Sequence, residues 1–431
     1  MALGGGTWVT QNKVLPGAYI NVISAKRISG TVSDRGTAAL GLKMDFGPDD
    51  EIFEVSAEDF EKDTKALFGC EYEDEKLKPL RDVFKNATTV LLYKLNSSVA
   101  AENKFAKAKN SGSAGNQLTI VISKNVGDES KFDVKTLLDE SEVDTQTVSD
   151  ITELTDNDYV IWKKNTKLAE TAGVPLTKGS DGEVTGDSHL RFLNKLESWN
   201  FNTLACLSED ETTKKLYVNY TKRMRDDIGV KFQLVLHNYD ADYEGVINVS
   251  NDAVGSEPSA LVYWVTGAEA GCPINKSVIN KVYDGEYKPI CEETQQELQN
   301  GIKAGKFLIH QVGKEYRVLT DINSLTTLEE NKGELFKKNQ VVRVMDQVAN
   351  DVAGIFNNRF IGVGNNDAGR LSLWNEIVSH HQKLMDIQAI QDFDPADVEV
   401  LPGDDVESVL VKDTINPVKG MEKLYMTLVV K

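Results

Sequence analysis

Strands and helices alternate along the chain from His189 onward, and this alternation limits the fold more than any other feature of the sequence. A helical pattern, "SHLRFLNKLES", precedes the strand "NFNTLACLS", and a second helix, "DETTKKLYVNYTKRMRDDIG", ends at Gly229. The strands "VKFQLVLHN" and "EGVINVS" follow, and then the helix "EPSALVYWVTGAEAG". Strands that alternate with helices of this length predict an α/β domain with a largely parallel sheet.

An earlier segment, from about Ser97 to Asp187, has a different character. Short β-rich runs such as "NQLTIVISKN", "KFDVKTLL" and "NDYVIWKKN" are separated by turn residues. This pattern predicts a compact all-β insert. Upstream of it, "SAEDFEKDTKALFG" predicts a helix that begins at a Ser56 cap and ends at Gly69, and "TTVLLYKLN" predicts a buried strand.

The last part of the chain mixes both kinds of element. The runs "KFLIHQV" and "EYRVLTD" meet around Gly313 and Lys314, which predicts a β-hairpin. Two long helical patterns follow, "KKNQVVRVMDQVANDVAGIFNNRF" and "GRLSLWNEIVSHHQKLMDIQAI". The late runs "ADVEVLPG" and "VESVLVKDTI" predict two more strands.

Both ends of the chain carry an apolar strand pattern, although termini are usually polar and frayed. In "GMEKLYMTLVVK" the residues Leu424, Met426, Leu428 and Val430 recur at every second position, the period of a strand with one buried face. The run "LPGAYINVIS" near the N-terminus predicts another short strand. Two terminal strands on tethers indicate segments that complete a sheet, either the chain's own or a neighbour's.

Charge excludes one class of partner. The net charge of −19 argues against nucleic-acid binding, which needs a basic face. Residues 1–33 hold three cations, Lys13, Lys26 and Arg27, and no acid, whereas the runs 139–158 and 392–407 hold eight and seven acids and no base. These runs are either solvated loops or bodies that attract the basic arm of a neighbouring copy. The sequence has no run of about 18 apolar residues, which a membrane-spanning helix would need. We also recognise no secretory signal.

Catalytic and cofactor motifs are not found in the sequence. It contains neither a GxxxxGK[ST] loop nor a GxSxG nucleophile motif. The four cysteines have no CxxC spacing, which favours buried structural thiols. His380 and His381 are adjacent and are predicted to be surface or interface residues rather than metal ligands. We therefore predict a non-enzymatic protein with no cofactor and no metal.

Four stretches in a fixed order carry a resemblance: "VLPGAYINVIS" (14–24), "AAENKFAKAKNSGSAGNQLTIVIS" (100–123), "VLTDINSLTT" (318–327) and the C-terminal "GMEKLYMTLVVK". Together they resemble the tail sheath proteins of contractile-tailed bacteriophages, in the single-chain branch shared with defective prophages and R-type bacteriocins. This chain lacks the family's aromatic residue or proline near Asn110 and its basic residue near Ala114, which puts only a turn in doubt.

The resemblance implies an α/β core of subtilisin-like architecture without a catalytic triad, an all-β sandwich insert, and an α+β C-terminal domain with exchanged terminal strands. It divides the chain into an N-terminal arm with a donor strand (1–30), the first part of the core (31–96), the sandwich (97–187), the rest of the core (188–325), the C-terminal domain (326–411), and a linker with a donor strand (412–431).

The resemblance also implies a function and partners. Subunits of the family form a six-start helical sheath around an inner tail tube, and the sheath contracts to drive the tube through a cell envelope. The expected partners are other copies of the chain, the tube protein, and the baseplate and tail terminator proteins, with no membrane insertion. The expected location is a virion tail or a bacteriocin particle assembled in the bacterial host cytoplasm; the sequence leaves open which.

Interface residues follow from the same resemblance. The predicted donor strands contain Ala18, Tyr19, Ile20, Val22, Ile23, Leu424, Met426, Leu428 and Val430. Candidate receiver strands contain Leu308, His310, Val312, Tyr316, Val318, Val398, Val400, Val409 and Val411. A candidate contact with the tube contains Lys337, Lys338 and Arg343. The nine-residue linker "KDTINPVKG" can span roughly 30 Å, enough to reach an adjacent subunit.

Two alternatives come from other classes of protein. One is an α/β hydrolase that uses the β-sandwich as a binding module, against which the missing nucleophile and base argue. The other is a closed cytosolic oligomer in which the terminal arms swap reciprocally.

Overall fold

The computed structural model describes residues 32–430. Its strands are β1 (Thr37–Leu42), β2 (Ile52–Ser56), β3 (Thr89–Lys94), β4 (Ala106–Ala108), β5 (Leu118–Lys124), β6 (Phe132–Leu138), β7 (Ser141–Val148), β8 (Val160–Trp162), β9 (Thr171–Pro175), β10 (Thr203–Cys206), β11 (Gln233–His237), β12 (Val246–Val249), β13 (Lys306–Phe307), β14 (Ile309–Val312), β15 (Glu315–Val318), β16 (Val398–Pro402) and β17 (Val409–Asp413). Its α-helices are α1 (Ala57–Lys62), α2 (Thr64–Phe68), α3 (Lys78–Phe84), α4 (Gly186–Leu196), α5 (Glu211–Lys222), α6 (Ala260–Gly271), α7 (Gln295–Lys303), α8 (Asn339–Arg359) and α9 (Asp367–Asp386).

A seven-stranded sheet with the order β13-β12-β11-β10-β1-β3-β2 forms the centre of the subunit. Only β2 and β3 pair antiparallel, and the other neighbours are parallel. Ala38 and Leu40 pack in one core with Trp264 of α6, whereas Ala39 packs in a second core with Phe192 of α4. Successive residues of a strand face opposite sides of the sheet, so these two cores lie on opposite faces. Helix α6 therefore covers one face and α4 covers the other. The predicted α/β domain with a largely parallel sheet is confirmed.

Two helix predictions differ in their outcome. The helix predicted after Ser56 does begin there, since the Ser56 hydroxyl accepts a hydrogen bond from the Asp59 N–H, but it breaks at Asp63 into α1 and α2. Asp63 has φ −119° and ψ 26°, outside the helical range, and aspartate is a weak residue for a helix interior. The helix predicted to end at Gly229 does so, after a π-helical turn that follows α5.

The predicted all-β insert is confirmed between β4 and β9. Strands β7, β6, β5 and β9 form an antiparallel sheet in that order, and β4 pairs with β8. Ile120, Val134 and Trp162 belong to its own hydrophobic core. The insert is fixed closely to the central domain at Gly112, where an added Cβ would lie 1.9 Å from the Asp45 carbonyl oxygen.

The C-terminal part packs α8, α9 and the antiparallel hairpin β16–β17 around a separate apolar cluster that includes Val344, Ile377 and Leu384. A second hairpin, β14–β15, lies beside the central sheet and confirms the turn predicted at Gly313 and Lys314. The subunit therefore consists of a covered sheet, a β-insert and a helical C-terminal part that ends in a hairpin.

Candidate assembly surface

The carboxyl edge of the parallel sheet is where α/β enzymes usually place catalytic groups. His237, the last residue of β11, lies at this edge. Its Nδ1 is 3.0 Å from Glu209 Oε1 and its Nε2 is 3.0 Å from Asp252 Oδ1. The Asn238 side-chain amide also lies 3.0 Å from Nε2, so both ring nitrogens are already engaged by side chains of the same subunit. This histidine is not arranged as a general base.

The four cysteines are free thiols. Burial raises the pKa of Cys70 and Cys272 to about 11, and that of Cys206 and Cys291 to about 12. The thiolate is the nucleophilic form, so these side chains are unreactive at neutral pH. Within residues 32–430, no group of three or more His, Cys, Asp or Glu side chains has the geometry to hold a metal ion.

The prediction that His380 and His381 are surface or interface residues is wrong, because both are completely buried. They lie on the apolar face of α9 between Ile377 and Leu384, which are buried as well. The helical spacing from Ile377 to Leu384 is visible in the sequence and could have shown this, since residues three or four apart share one face of a helix.

The C-terminal segment 421–430 leaves the body of the subunit. The residues Leu424, Met426, Leu428 and Val430 are 85%, 76%, 80% and 87% exposed, and the segment forms no strand with its own subunit. Full burial of one such side chain is worth about 1.5–3 kcal/mol. The sequence of this segment has the alternating pattern of a strand, but within residues 32–430 the segment pairs with no other strand.

The linker before this segment stays attached to the C-terminal part. The Val418 N–H donates to the Ala389 carbonyl at 2.9 Å, and the Gly420 N–H donates to Gln340 Oε1 at 2.9 Å. The last of these anchors is an ion pair of 2.6 Å between Lys338 and Glu422. Residues beyond Glu422 therefore start from a fixed point on the surface near the N-terminus of α8.

No other strand pairs with either outer edge of the hairpin β16–β17 within the described residues. It forms a two-stranded sheet in which Val400 faces Val411 and Pro402 faces Val409, and no other strand in residues 32–430 joins it. One side of the hairpin packs on α9, where the Trp374 indole N–H donates to the Val398 carbonyl at 2.9 Å. Of the candidate receiver residues here, Val398 is buried, and Val400, Val409 and Val411 are partly buried.

The other candidate receiver, β14–β15, is occupied at its edges by its own chain. The Val318 N–H donates to the Lys281 carbonyl, and the Tyr283 N–H donates to the Tyr316 carbonyl. On the opposite edge, the Ile309 N–H donates to Asn251 Oδ1 at 2.7 Å. Leu308 is buried beside this hairpin, His310 and Tyr316 are partly buried, and Val312 is exposed. Backbone groups that already have partners offer little to an incoming strand.

An apolar groove of about 460 Å³ lies at the start of β17, where Val409 lines it. It is lined by the end of α8, the loop between α8 and α9, and the turn of the β16–β17 hairpin. Ile361 and Val406 in its lining are 67% and 88% exposed. Large apolar side chains exposed together in this way mark interaction surfaces.

The three residues of the candidate tube contact are separated by the fold. Lys337 and Lys338 keep part of their surface and pair with Glu334 and Glu422. Arg343 is completely buried, so it cannot contact another protein. Arg343 lies about one turn into α8, on the face that packs against the central domain. The prediction that Arg343 contacts the tube is therefore wrong. The donor residues Ala18, Tyr19, Ile20, Val22 and Ile23 lie outside the described residues.

Comparison with known proteins decides the family. The phage tail sheath protein central domain matches residues 182–324, and the phage tail sheath C-terminal domain matches residues 331–431. The β-sandwich domain of the tail sheath protein matches residues 85–181, and the N-terminal region of domain III of the tail sheath protein Gp18 matches residues 35–95. The chain belongs to the phage tail sheath family.

Solved structures of other sheath proteins agree with this assignment. The sheath tail protein from Desulfitobacterium hafniense is 37% identical, with a TM-score of 0.78 over 95% of this chain and 99% of that one. The sheath tail protein from Listeria innocua is 33% identical, with a TM-score of 0.82 over 92% and 95%. The contracted helical sheath of the anti-feeding prophage is 14% identical and shares the fold, with a TM-score of 0.56 over 98% and 99%.

This sheath protein is a structural protein and not an enzyme, in agreement with its family. None of the helices in the described range is both long and apolar enough to cross a membrane.

Proposed function

We propose that this sheath protein polymerises helically around an inner tail tube and contracts to drive the tube through a cell envelope. The observation that carries the proposal is the apolar segment 421–430, which its own subunit leaves uncovered, together with the hairpin β16–β17, which no other strand in residues 32–430 joins. The resemblance to contracted sheath assemblies supports contraction as the use of this fold.

Strand exchange is the proposed link between subunits. A donor segment that adds to the edge of β16 or β17 gains backbone hydrogen bonds, and its alternate side chains find pockets that fix its register. The groove beside β17 offers such a pocket to an apolar side chain. Because β14–β15 has its edges occupied, we place the receiver at β16–β17. Contacts of this kind between unlike surfaces give open helical polymers when the rotation from one subunit to the next does not close a ring.

Charge favours the N-terminal arm as one donor at this hairpin. The turn between β16 and β17 carries Asp404, Asp405 and Glu407, all exposed. The arm carries Lys13, Lys26 and Arg27 and no acid within residues 1–33. Complementary charge speeds the encounter and rejects wrong partners more than it adds affinity. The acidic turn would therefore guide a neighbour's arm to the edge of the hairpin.

Contraction requires subunits that move as bodies while their links hold. Buried polar contacts fix α8 to the central domain: Arg225 forms two hydrogen bonds with Asp346, at 2.6 and 2.8 Å, and Arg343 pairs with Glu269. A subunit tied in this way changes its position as one piece. The change of pitch would then fall on the linker 412–420 and on the N-terminal arm.

We also propose further features of the family for this chain. They are a subtilisin-like arrangement of the core, a six-start helix, contacts with the tube, baseplate and tail terminator proteins, and assembly in the host cytoplasm. For the tube contact, Lys337 and Lys338 remain as candidates, because a basic surface would hold an acidic tube by weak, reversible ion pairs.

Electron microscopy of the purified chain tests the function. The full-length chain is expected to form long helical tubes, and a chain that ends at Gly420 is expected to stay dispersed. A thermal melt of both chains controls for folding, because residues 421–430 contribute no core contacts. Tubes of normal length from the shortened chain, or closed rings from the full chain, would contradict the proposal.

A further inference from the structure

A pair of buried histidines connects two distant parts of the C-terminal domain. His380 and His381 are both 0% exposed, and their Nδ1 atoms lie 3.2 Å apart. Adjacent residues on a helix normally point in different directions. Here both rings turn one nitrogen toward the other, so the two imidazoles are in direct hydrogen-bonding contact.

The outer nitrogens of the pair each meet a carboxylate. His380 Nε2 is 2.9 Å from Asp351 Oδ2, and His381 Nε2 is 2.8 Å from Asp413 Oδ2. The Ser33 hydroxyl donates to Asp351 Oδ1 at 2.5 Å. The result is a continuous chain of hydrogen bonds through five side chains.

The two ends of this chain are the roots of the terminal segments. Ser33 lies close to where the description of the chain begins, at residue 32, and directly follows the N-terminal arm. Asp413 is the last residue of β17, where the linker to the C-terminal segment starts. The histidine pair thus links Asp351 on α8 to Asp413 on β17 in this series of hydrogen bonds.

The geometry fixes the number of protons on the pair. Each Nε2 faces a carboxylate, which accepts hydrogen bonds, so each Nε2 carries a hydrogen. Two Nδ1 atoms at 3.2 Å need one hydrogen between them, since one must donate and the other accept. Three N–H groups on two imidazoles give the pair a single positive charge.

Asp351 on α8 and Asp413 on β17 are the carboxylates in contact with the pair. Burial opposes the ionisation of Asp351, but hydrogen bonds from His380, Ser33 and Gln347 lower its pKa below the ordinary value, so it stays charged.

The other charged groups near the pair lie on α9, on the β16–β17 hairpin and in the loop after α9. On α9, Glu376 pairs with Arg359 at 2.7 Å, and on β16 the exposed Glu399 lies 3.8 Å from Lys412. Lys383, one turn after His380, is partly buried. The loop after α9 places the Phe393 ring 5.1 Å from the His381 ring, with the exposed Asp392 and Asp394 on either side of it.

We propose that His380 and His381 share one proton and form a proton-dependent clasp between the roots of the two terminal segments. If the pair gained a fourth proton, both Nδ1 atoms would be N–H donors and would repel each other. If the pair lost its third proton, both Nδ1 atoms would carry lone pairs and no hydrogen bond could join them. Either change breaks the contact between the rings. Because both rings are buried, they can separate only if α8 or β17 moves.

Nitrogen NMR of the full-length chain, labelled with ¹⁵N-histidine and sedimented, measures the proton count directly. We expect three protonated nitrogens and one bare nitrogen for the pair at pH 7, with coupling between the two Nδ1 atoms. His189 serves as an internal reference: its Nδ1 lies 2.9 Å from the Tyr217 hydroxyl, and burial lowers its pKa, so it carries a single N–H. Two bare nitrogens in the pair, or none, would overturn the shared proton.

A matched pair of variants tests the clasp itself. Asp413→Asn keeps an acceptor oxygen but removes the negative charge, so the pair should lose one proton at pH 7. Backbone amides of residues 414–420 should then exchange several-fold faster with solvent. Asp392→Asn, an exposed carboxylate in the same region, should change neither quantity. If Asp413→Asn leaves the proton count and the exchange of 414–420 unchanged, the clasp does not exist; neither readout depends on strand exchange between subunits.

Discussion

Arg343 of α8 and Glu269 of α6 form an ion pair inside the subunit, with both side chains 0% exposed. Asp321 lies 3.5 Å from the same guanidinium, and the Lys276 carbonyl accepts a hydrogen bond from it at 2.8 Å. Burial pushes the pKa of Glu269 upward and the neighbouring Asp321 adds to this, while the Arg343 guanidinium opposes both by favouring the charged carboxylate. This pair joins the C-terminal helix to the central domain.

Loss of Arg343 is expected to destabilise the whole subunit. Arg343→Met leaves Glu269 and Asp321 buried without a cation, which should cost about 3–5 kcal/mol in the free energy of unfolding. Arg343→Met with Glu269→Gln should recover part of this loss. Arg191→Met is the control, because Arg191 pairs with Asp187 at the surface and should change stability by less than about 0.5 kcal/mol. Denaturant unfolding measures all three; a small effect of Arg343→Met would show that the pair does not tie the two parts together.

Asp82 is expected to make stability depend on pH. Burial raises its pKa to about 6, although it accepts hydrogen bonds from the Glu286 N–H and the Tyr283 hydroxyl. The folded state therefore holds this proton more firmly than the unfolded state does. Its contribution is complete below about pH 4 and is lost as the pH rises through about 6.

Asp82→Asn tests that contribution. The amide can still accept from the Glu286 N–H and donate to the Tyr283 oxygen, but it does not ionise. The variant should be more stable than the wild type at pH 7.5, by on the order of 2 kcal/mol, and the gain should shrink at pH 5. Urea unfolding at both values measures it. An equal effect at pH 5 and pH 7.5 would rule out the titration of Asp82 as the cause.

Met426→Pro is expected to block assembly without unfolding the subunit. Proline removes a backbone N–H and cannot sit within a paired strand. Residue 426 is exposed, so the thermal melt of the monomer should not change. Met426→Val is the matched control and should form tubes. Tubes formed by the proline variant, seen in electron micrographs, would mean that this segment is not a paired donor strand.

Engineered cysteines can identify the receiving hairpin. Val22→Cys combined with Val411→Cys on β17 should give a disulfide between subunits in assembled particles. Val22→Cys with Val312→Cys, which targets the hairpin β14–β15, should not. The native thiols interfere little, because burial raises the pKa of all four. Non-reducing electrophoresis reports the outcome, and a crosslink through Val312 would reverse our choice of receiver.

Charge reversal at Lys337 addresses the tube contact. Lys337→Glu should weaken attachment to an acidic tube and leave sheath-only polymers intact. Lys338→Glu needs Glu422→Lys beside it, because Lys338 holds the root of the C-terminal segment through Glu422. Lys314→Glu, in the turn of the other hairpin, is the control. Co-sedimentation with the tube measures attachment, and normal binding by Lys337→Glu would place the contact elsewhere.

The sequence determined the architecture because the pattern of apolar residues follows local geometry. Alternation of strand and helix predicted the parallel sheet, short β-runs predicted the insert, and the turn at Gly313 and Lys314 predicted the hairpin. Family resemblance supplied the function, since the sequence contains no recognisable catalytic or cofactor motif. It also directed attention to the C-terminal segment, whose exposure in the structure is consistent with a donor role.

Tertiary structure alone decided which charged and polar residues are inside. Lys337, Lys338 and Arg343 look alike in sequence, but the turn of α8 sends Arg343 into the interior, where Glu269 from a distant helix neutralises it. The adjacent histidines were expected at the surface, because imidazoles are polar. They are buried because Asp351 and Asp413, which are distant from them in the chain, supply the hydrogen bonds that make burial affordable in free energy. Partners of that kind are set by packing between segments, which local sequence patterns do not encode.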